Sequence, residues 1–80
     1  MENLKKEVLL RLNILEPITL EVHDDSHKHS THGAEGSNLR VLISSKLFEG
    51  KTYLDKHRLV YKVLQDLMPH RIHSLELKFL

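Results

Sequence analysis

The chain has no cysteine and no tryptophan, and only two prolines and three glycines among its 80 residues. Without cysteine it can form no disulfide, run no thiol chemistry and hold no cluster through thiolates of its own. A metal bound here must be held by imidazole and carboxylate, with any sulfur supplied by another molecule. No apolar run approaches the roughly 20 residues needed to cross a bilayer, and the amino terminus carries no signal-peptide pattern. A cytoplasmic location is the expectation, or an organellar one if a transit peptide has been removed. Excess charge is missing too: 12 Lys and Arg face 11 Asp and Glu, for a net charge of +1. No global field therefore demands a nucleic acid or a membrane as partner. No repeat or low-complexity segment is present. The chain is long enough for one domain, 1–80, with a core burying roughly 60–65% of the unfolded surface and a stability on the order of 5 kcal/mol.

Histidine, by contrast, is abundant. Four of the seven, His23, His27, His29 and His32, fall within ten positions, beside Asp24 and Asp25. The stretch 22–38 has no apolar periodicity and separates two segments that read as strands. A loop of that length in so small a domain is usually functional or disordered.

Around it the chain alternates between two periods. Residues 2–13 predict an amphipathic helix, with Leu4, Val8, Leu12 and Leu15 on one stripe, Leu9 widening it, and Lys5, Lys6 and Arg11 in water. Pro17 ends it. Ile18, Leu20 and Val22 then alternate with Thr19, Glu21 and His23 as a strand. Beyond the loop, Leu39, Val41 and Ile43 alternate with Arg40, Leu42 and Ser44 up to Ser45. A turn over 46–51, punctuated by Gly50, leads to Thr52, which caps a second helix with Asp55 in capping-box position. Its inner stripe is Tyr53, His57, Val60, Leu64 and Leu67, supported by Val63 and Met68, and Pro69 stops it. From Ile72 to Leu80, His73, Leu75, Leu77 and Phe79 alternate with Ser74, Glu76 and Lys78. The order is α-β-β-α-β: an α+β domain with a three-stranded mixed sheet and its helices on one face.

Topology then makes a geometric prediction. The first two strands should be antiparallel across the histidine loop. The second strand, helix and third strand form a crossover, so the third should run parallel to the second. Parallel strands begin at one edge, which brings His73 to the loop end of the sheet. Its parity puts it with the apolar face. One reading is a core-edge histidine bonded to a backbone carbonyl; the other is a neutral imidazole ligand oriented through its second nitrogen.

The loop histidines fit no HExxH or Cys/His pattern. Asp24 and Asp25 lack a nucleophile or an enclosed pocket to serve as catalytic acids and read as turn residues; no enzyme activity is expected. Gly33-Ala34-Glu35-Gly36 matches the GxxG of KH domains literally, but it lies between strands rather than helices. Lys46, Lys51, Lys56, Arg58 and Lys62 give the turn and second helix a basic flank, either a solvated face or a surface for a phosphate backbone.

The series Leu20-Glu21-Val22-His23-Asp24-Asp25-Ser26-His27-Lys28-His29, Phe48-Glu49-Gly50, Lys56-His57-Arg58-Leu59-Val60-Tyr61 and Ile72-His73-Ser74-Leu75-Glu76-Leu77 resembles, in order and over essentially the whole chain, the BolA-like family. The resemblance implies a class II KH-like fold and a chain that is monomeric alone. It implies a partner, a monothiol glutaredoxin, in iron–sulfur and iron metabolism. It also implies a 2Fe-2S cluster bridging the two proteins, with thiolates from the glutaredoxin and glutathione and histidine from this chain; the isolated chain binds none. The family's VHALxL histidine corresponds to His73. His29 occupies the place of the second, loop ligand, which makes this a His-type member, with His27 and His32 as competing imidazoles. The chain departs from the family in having Lys56 where arginine is commoner, and in lacking the Thr-Pro-x-x-Trp-like segment beyond the last strand. The alternative function is a KH-like nucleic-acid-binding regulator, with Lys51, Lys56, Arg58 and Lys62 against DNA.

Overall fold

The computed structural model describes residues 2–25 and 37–80. Helix α1, Glu2–Leu12, tightens into one 3-10 turn, Asn13–Leu15, which keeps Leu15 in line with Leu4, Val8 and Leu12; all four are buried. Glu16, before a proline that disfavours helical geometry, leaves the helix in a left-handed conformation with φ 50°. Its N–H returns to the Asn13 carbonyl at 3.0 Å.

Strand β1, Pro17–Asp24, pairs antiparallel with β2, Ser37–Ser45, in a register running from Pro17 opposite Ser45 to Asp24 opposite Leu39. Strand β3, Ile72–Phe79, lies on the other side of β2 and runs parallel to it. Leu39, Val41, Ile43 and Ser45 of β2 are buried while Arg40, Leu42 and Ser44 are half-buried, so one face of the sheet is covered and the other is open. The predicted order and pairing are those observed.

Helix α2, Tyr53–Leu64, starts where the Thr52 hydroxyl accepts the Asp55 N–H at 3.1 Å. That removes one unsatisfied donor of the first turn, worth about 1 kcal/mol. Gly50 precedes it at φ 76°, a left-handed turn position that any side chain would strain. Val60 and Leu64 are fully buried, and a 3-10 turn over Gln65–Leu67 adds Leu67 before the chain breaks at a cis Met68–Pro69 bond. Each such side chain contributes about 1.5–3 kcal/mol by leaving water.

Three positions depart from simple periodicity. Ile18 is 70% exposed, because the register of β1 shifts between Pro17 and Thr19 and regular alternation begins only at Leu20. Tyr53 lies on the predicted stripe yet is 62% exposed; its ring meets Phe79 edge-on at 5.4 Å and His57 at 5.5 Å instead of entering the core. His73 is exposed rather than on the apolar face. The ladder advances one residue on β2, Ser37 to Asn38, while it advances two on β3, Ile72 to Ser74. This bulge makes His73 the extra residue and shifts the phase, so that Ile72, fully buried, shares the core with Leu75 and Leu77.

Two side chains, Ser45 and Arg11, secure the corners with polar contacts. The buried Ser45 hydroxyl donates to the Leu15 carbonyl at 2.6 Å and accepts the Leu47 N–H at 3.0 Å. Ser45→Ala leaves both groups without this partner and is expected to cost about 1–2 kcal/mol in urea denaturation. Arg11 joins the helices by binding Glu7 (Nε–Oε2, 2.9 Å) and the Asp66 carboxylate. The hydrogen bond from Arg11 holds the Asp66 carboxyl below its ordinary value. A depressed carboxylate stabilises the fold above the ordinary aspartate range, and that contribution disappears as pH falls through the depressed value. Melting temperatures between pH 7 and pH 2 should therefore fall further for the wild type than for Asp66→Asn; equal losses would show that the pair contributes nothing.

Candidate functional site

All three strands present an end at the edge where the 26–36 segment connects. Backbone and side-chain bonds stitch that edge together. The Asp25 N–H donates to the Asn38 carbonyl at 2.8 Å, and the Ser37 N–H to the Arg71 carbonyl at 3.0 Å. Ser74 Oγ lies 2.6 Å from Asn38 Oδ1 across β2 and β3. On the β1 side, Arg40 Nε reaches Asp25 Oδ2 at 3.0 Å, and this bond raises the guanidinium's hold on its proton. His23 occupies the open face of the sheet beside Glu21, with Nε2 3.0 Å from Oε1.

His73 stands in the middle of this stitched edge, between Ile72 opposite Ser37 and Ser74 opposite Asn38. The predicted convergence therefore holds for the backbone: a residue far along the chain is carried to the loop end of the sheet. Its imidazole is exposed, and its neighbours on both sides are fixed, Ile72 by the core and Ser74 by Asn38. Such a side chain can offer a ring nitrogen to a group held mainly by another molecule. His27, His29 and His32 lie outside the described residues. Among the described residues no three His, Cys, Asp or Glu side chains are grouped so as to hold a metal.

The anchoring pairs Arg40–Asp25 and Ser74–Asn38 were not visible in the sequence. Each joins positions on different segments, and neither belongs to a local motif.

The basic candidates separate into two groups. Lys51, Arg58 and Lys62 border one shallow depression on α2. Lys56 points elsewhere, its Nζ 5.7 Å from the centre of the Phe79 ring. Between these groups runs an aromatic ladder, with His57 stacked on Tyr61 at 4.7 Å and 22° and Phe79 edge-on to Phe48 at 5.3 Å. His57, on the inner stripe by its spacing, is half-buried and packed against Tyr61. The Tyr61 hydroxyl extends the ladder to β3 by reaching the Leu75 carbonyl at 3.4 Å.

Two helices packed on a β1-β2-β3 mixed sheet define the chain as an α+β domain of the architecture seen in BolA-domain structures. The chain belongs to the BolA-like family: the family model described as "BolA-like protein" matches residues 12–80. It is similar to the BolA domain of SufE1 from Arabidopsis thaliana, with a TM-score of 0.82 and 33% identity over 92% of this chain and 86% of that one. Among curated proteins it resembles the DNA-binding transcriptional regulator BolA of Escherichia coli K12, at 32% identity over 78% of this chain and 59% of the relative. It also resembles SufE-like protein 1, chloroplastic/mitochondrial, of Arabidopsis thaliana, at 37% identity over 95% of this chain and 21% of the relative. The chain thus spans less than two thirds of the length of either curated relative. No helix among the described residues is long and apolar enough to cross a membrane.

Proposed function

We propose that this chain is a non-enzymatic adaptor that binds a monothiol glutaredoxin and shares a 2Fe-2S cluster with it and with glutathione, in iron–sulfur assembly and trafficking or iron regulation. His73 is its strand-borne ligand and His29 its loop ligand, with His27 and His32 as second choices. The observation that carries this reading is the bulge that lifts His73 out of the core at the one edge from which the histidine loop departs. When bound, the cluster supplies one-electron redox chemistry and is itself transferable cargo. This chain's part is to present neutral imidazole where thiolate would otherwise stand. Imidazole ligation raises the reduction potential and gives a ligand that protons can displace. The chain's lack of cysteine agrees with that division of labour. The test is anaerobic reconstitution of the chain with a monothiol glutaredoxin and glutathione. A brown complex with a visible spectrum distinct from that of the glutaredoxin alone is expected, and His29→Ala should change that spectrum more than His27→Ala or His32→Ala. No complex, or a spectrum insensitive to every loop histidine, defeats the assignment.

A second reading is favoured by one relative's name and by the Lys51, Arg58 and Lys62 cluster: binding of DNA through α2. It predicts that charge reversal at Arg58 or Lys62 weakens binding to a DNA duplex with a steep salt dependence, whereas reversal at Lys56, on the other side of the helix, has the least effect. An absence of binding at physiological salt defeats it.

A further inference from the structure

We propose that the outward flank of α2 is a docking surface for an acidic segment of a partner protein that inserts one apolar anchor side chain. This goes beyond the cluster-sharing reading and uses neither His73 nor the histidine loop.

Two depressions lie side by side on this flank. The larger, about 420 Å³, is lined by Arg58, Tyr61, Lys62, Gln65, Met68 and Pro69. The smaller, about 280 Å³, is lined by Lys51, Asp55, Arg58, Leu59 and Lys62. Arg58 and Lys62 belong to both, one helical turn apart, so the two depressions form a single trough with a basic bridge across it. Three cations line it against one carboxylate, Asp55. That carboxylate neutralises little: Asp55 Oδ1 is 3.9 Å from Arg58 Nη1 and both side chains are mostly exposed, the kind of pair that contributes least. The Arg58 fork is therefore available for a bidentate carboxylate.

The larger depression decides what kind of acidic partner fits. No carboxylate lines it, and Tyr61, Met68 and Pro69 give it apolar walls. Tyr61 is a rigid wall, stacked on His57 and tied to the Leu75 carbonyl, while Met68 can adapt to the shape of an inserted side chain. A nucleic-acid backbone would bring phosphate to Arg58 and Lys62 but would cover Met68 and Pro69 with nothing suited to them. A peptide with Asp or Glu beside a Leu, Met or Phe satisfies both halves of the trough at once.

Selection from a displayed library of random dodecapeptides against the full chain, without glutaredoxin or cluster, tests this independently of the cluster assignment. Selected sequences should pair acidic residues with a large apolar one. A fluorescein-labelled synthetic copy of the leading sequence should lose at least about tenfold in affinity for the double variant Arg58→Glu, Lys62→Glu. Amide shifts on titration should centre on Arg58, Tyr61, Lys62 and Met68. Arg58 and Lys62 are exposed, so the fold should survive their reversal. If the double variant nevertheless melts early, Lys62→Glu and Gln65→Glu are measured singly, with the same loss expected. Selection without an acidic–apolar pattern, affinity that ignores these substitutions, or a shift map elsewhere would overturn the proposal. So would a mixed-sequence DNA duplex that binds the trough more tightly than the peptide at physiological salt.

Discussion

Truncating Ile72 to alanine should destabilise the domain by about 3–4 kcal/mol, while the same substitution one residue later, at His73, should stay within about 0.5 kcal/mol of wild type. Ile72 is fully buried among the core residues contributed by α1, α2 and all three strands, so alanine there removes three carbons and leaves a cavity. Against a total on the order of 5 kcal/mol, that loss leaves a substantial unfolded population at room temperature. His73 is exposed and gives up no packing. Urea denaturation of both variants measures the contrast. Comparable losses at the two positions would mean that His73 is packed after all and that the bulge between Ile72 and Ser74 is misplaced.

That contrast makes the second large effect readable. If His73 is a cluster ligand, His73→Ala should abolish, or weaken by about tenfold or more, the capacity of a glutaredoxin complex to retain its 2Fe-2S cluster, in a protein whose own stability is unchanged. Loss of visible absorbance on exposure to a chelator gives the measurement, with circular dichroism of the apo chain as the control. An unchanged rate of cluster loss in the folded variant removes His73 from the ligand set. Because the two effects separate at adjacent residues, a failure to fold cannot be mistaken for a failure to bind.

What the sequence made legible was local or topological. The Thr52 cap lies three positions from the N–H it receives, and the α1 stripe repeats at helical spacing. The alternation of β2 continues unbroken from Leu39 to Ser45. The crossover rule supplied the parallel placement of β3 and so carried His73 to the loop edge. Its orientation was another matter. Parity counts residues along one strand, whereas a bulge is a property of two: only the pairing of Ser37 and Asn38 with Ile72 and Ser74 shows that a residue has been inserted. Tyr53 failed for a related reason, since helical spacing says which side a residue takes and not whether anything beyond Phe79 covers it there. The basic candidates were grouped by proximity in the chain. At about 100° per residue, Lys56 falls on the far side of α2 from Arg58 and Lys62, and the structure pairs it with Phe79.

The parallel pairing of β2 with β3 also has a kinetic consequence. Ser74 and Asn38, which meet across these strands, are 36 residues apart in the chain. Closing a contact of that span costs more chain entropy than closing the local contacts of a helix, and such contacts slow folding. The edge that carries His73 is therefore absent from the unfolded chain and is complete only when β2 and β3 have paired. A partner that grips this edge selects finished molecules and, by mass action, holds them folded, adding about 2.7 kcal/mol at a hundredfold excess over its dissociation constant. For so small a domain, occupancy of the edge and persistence of the fold are one equilibrium.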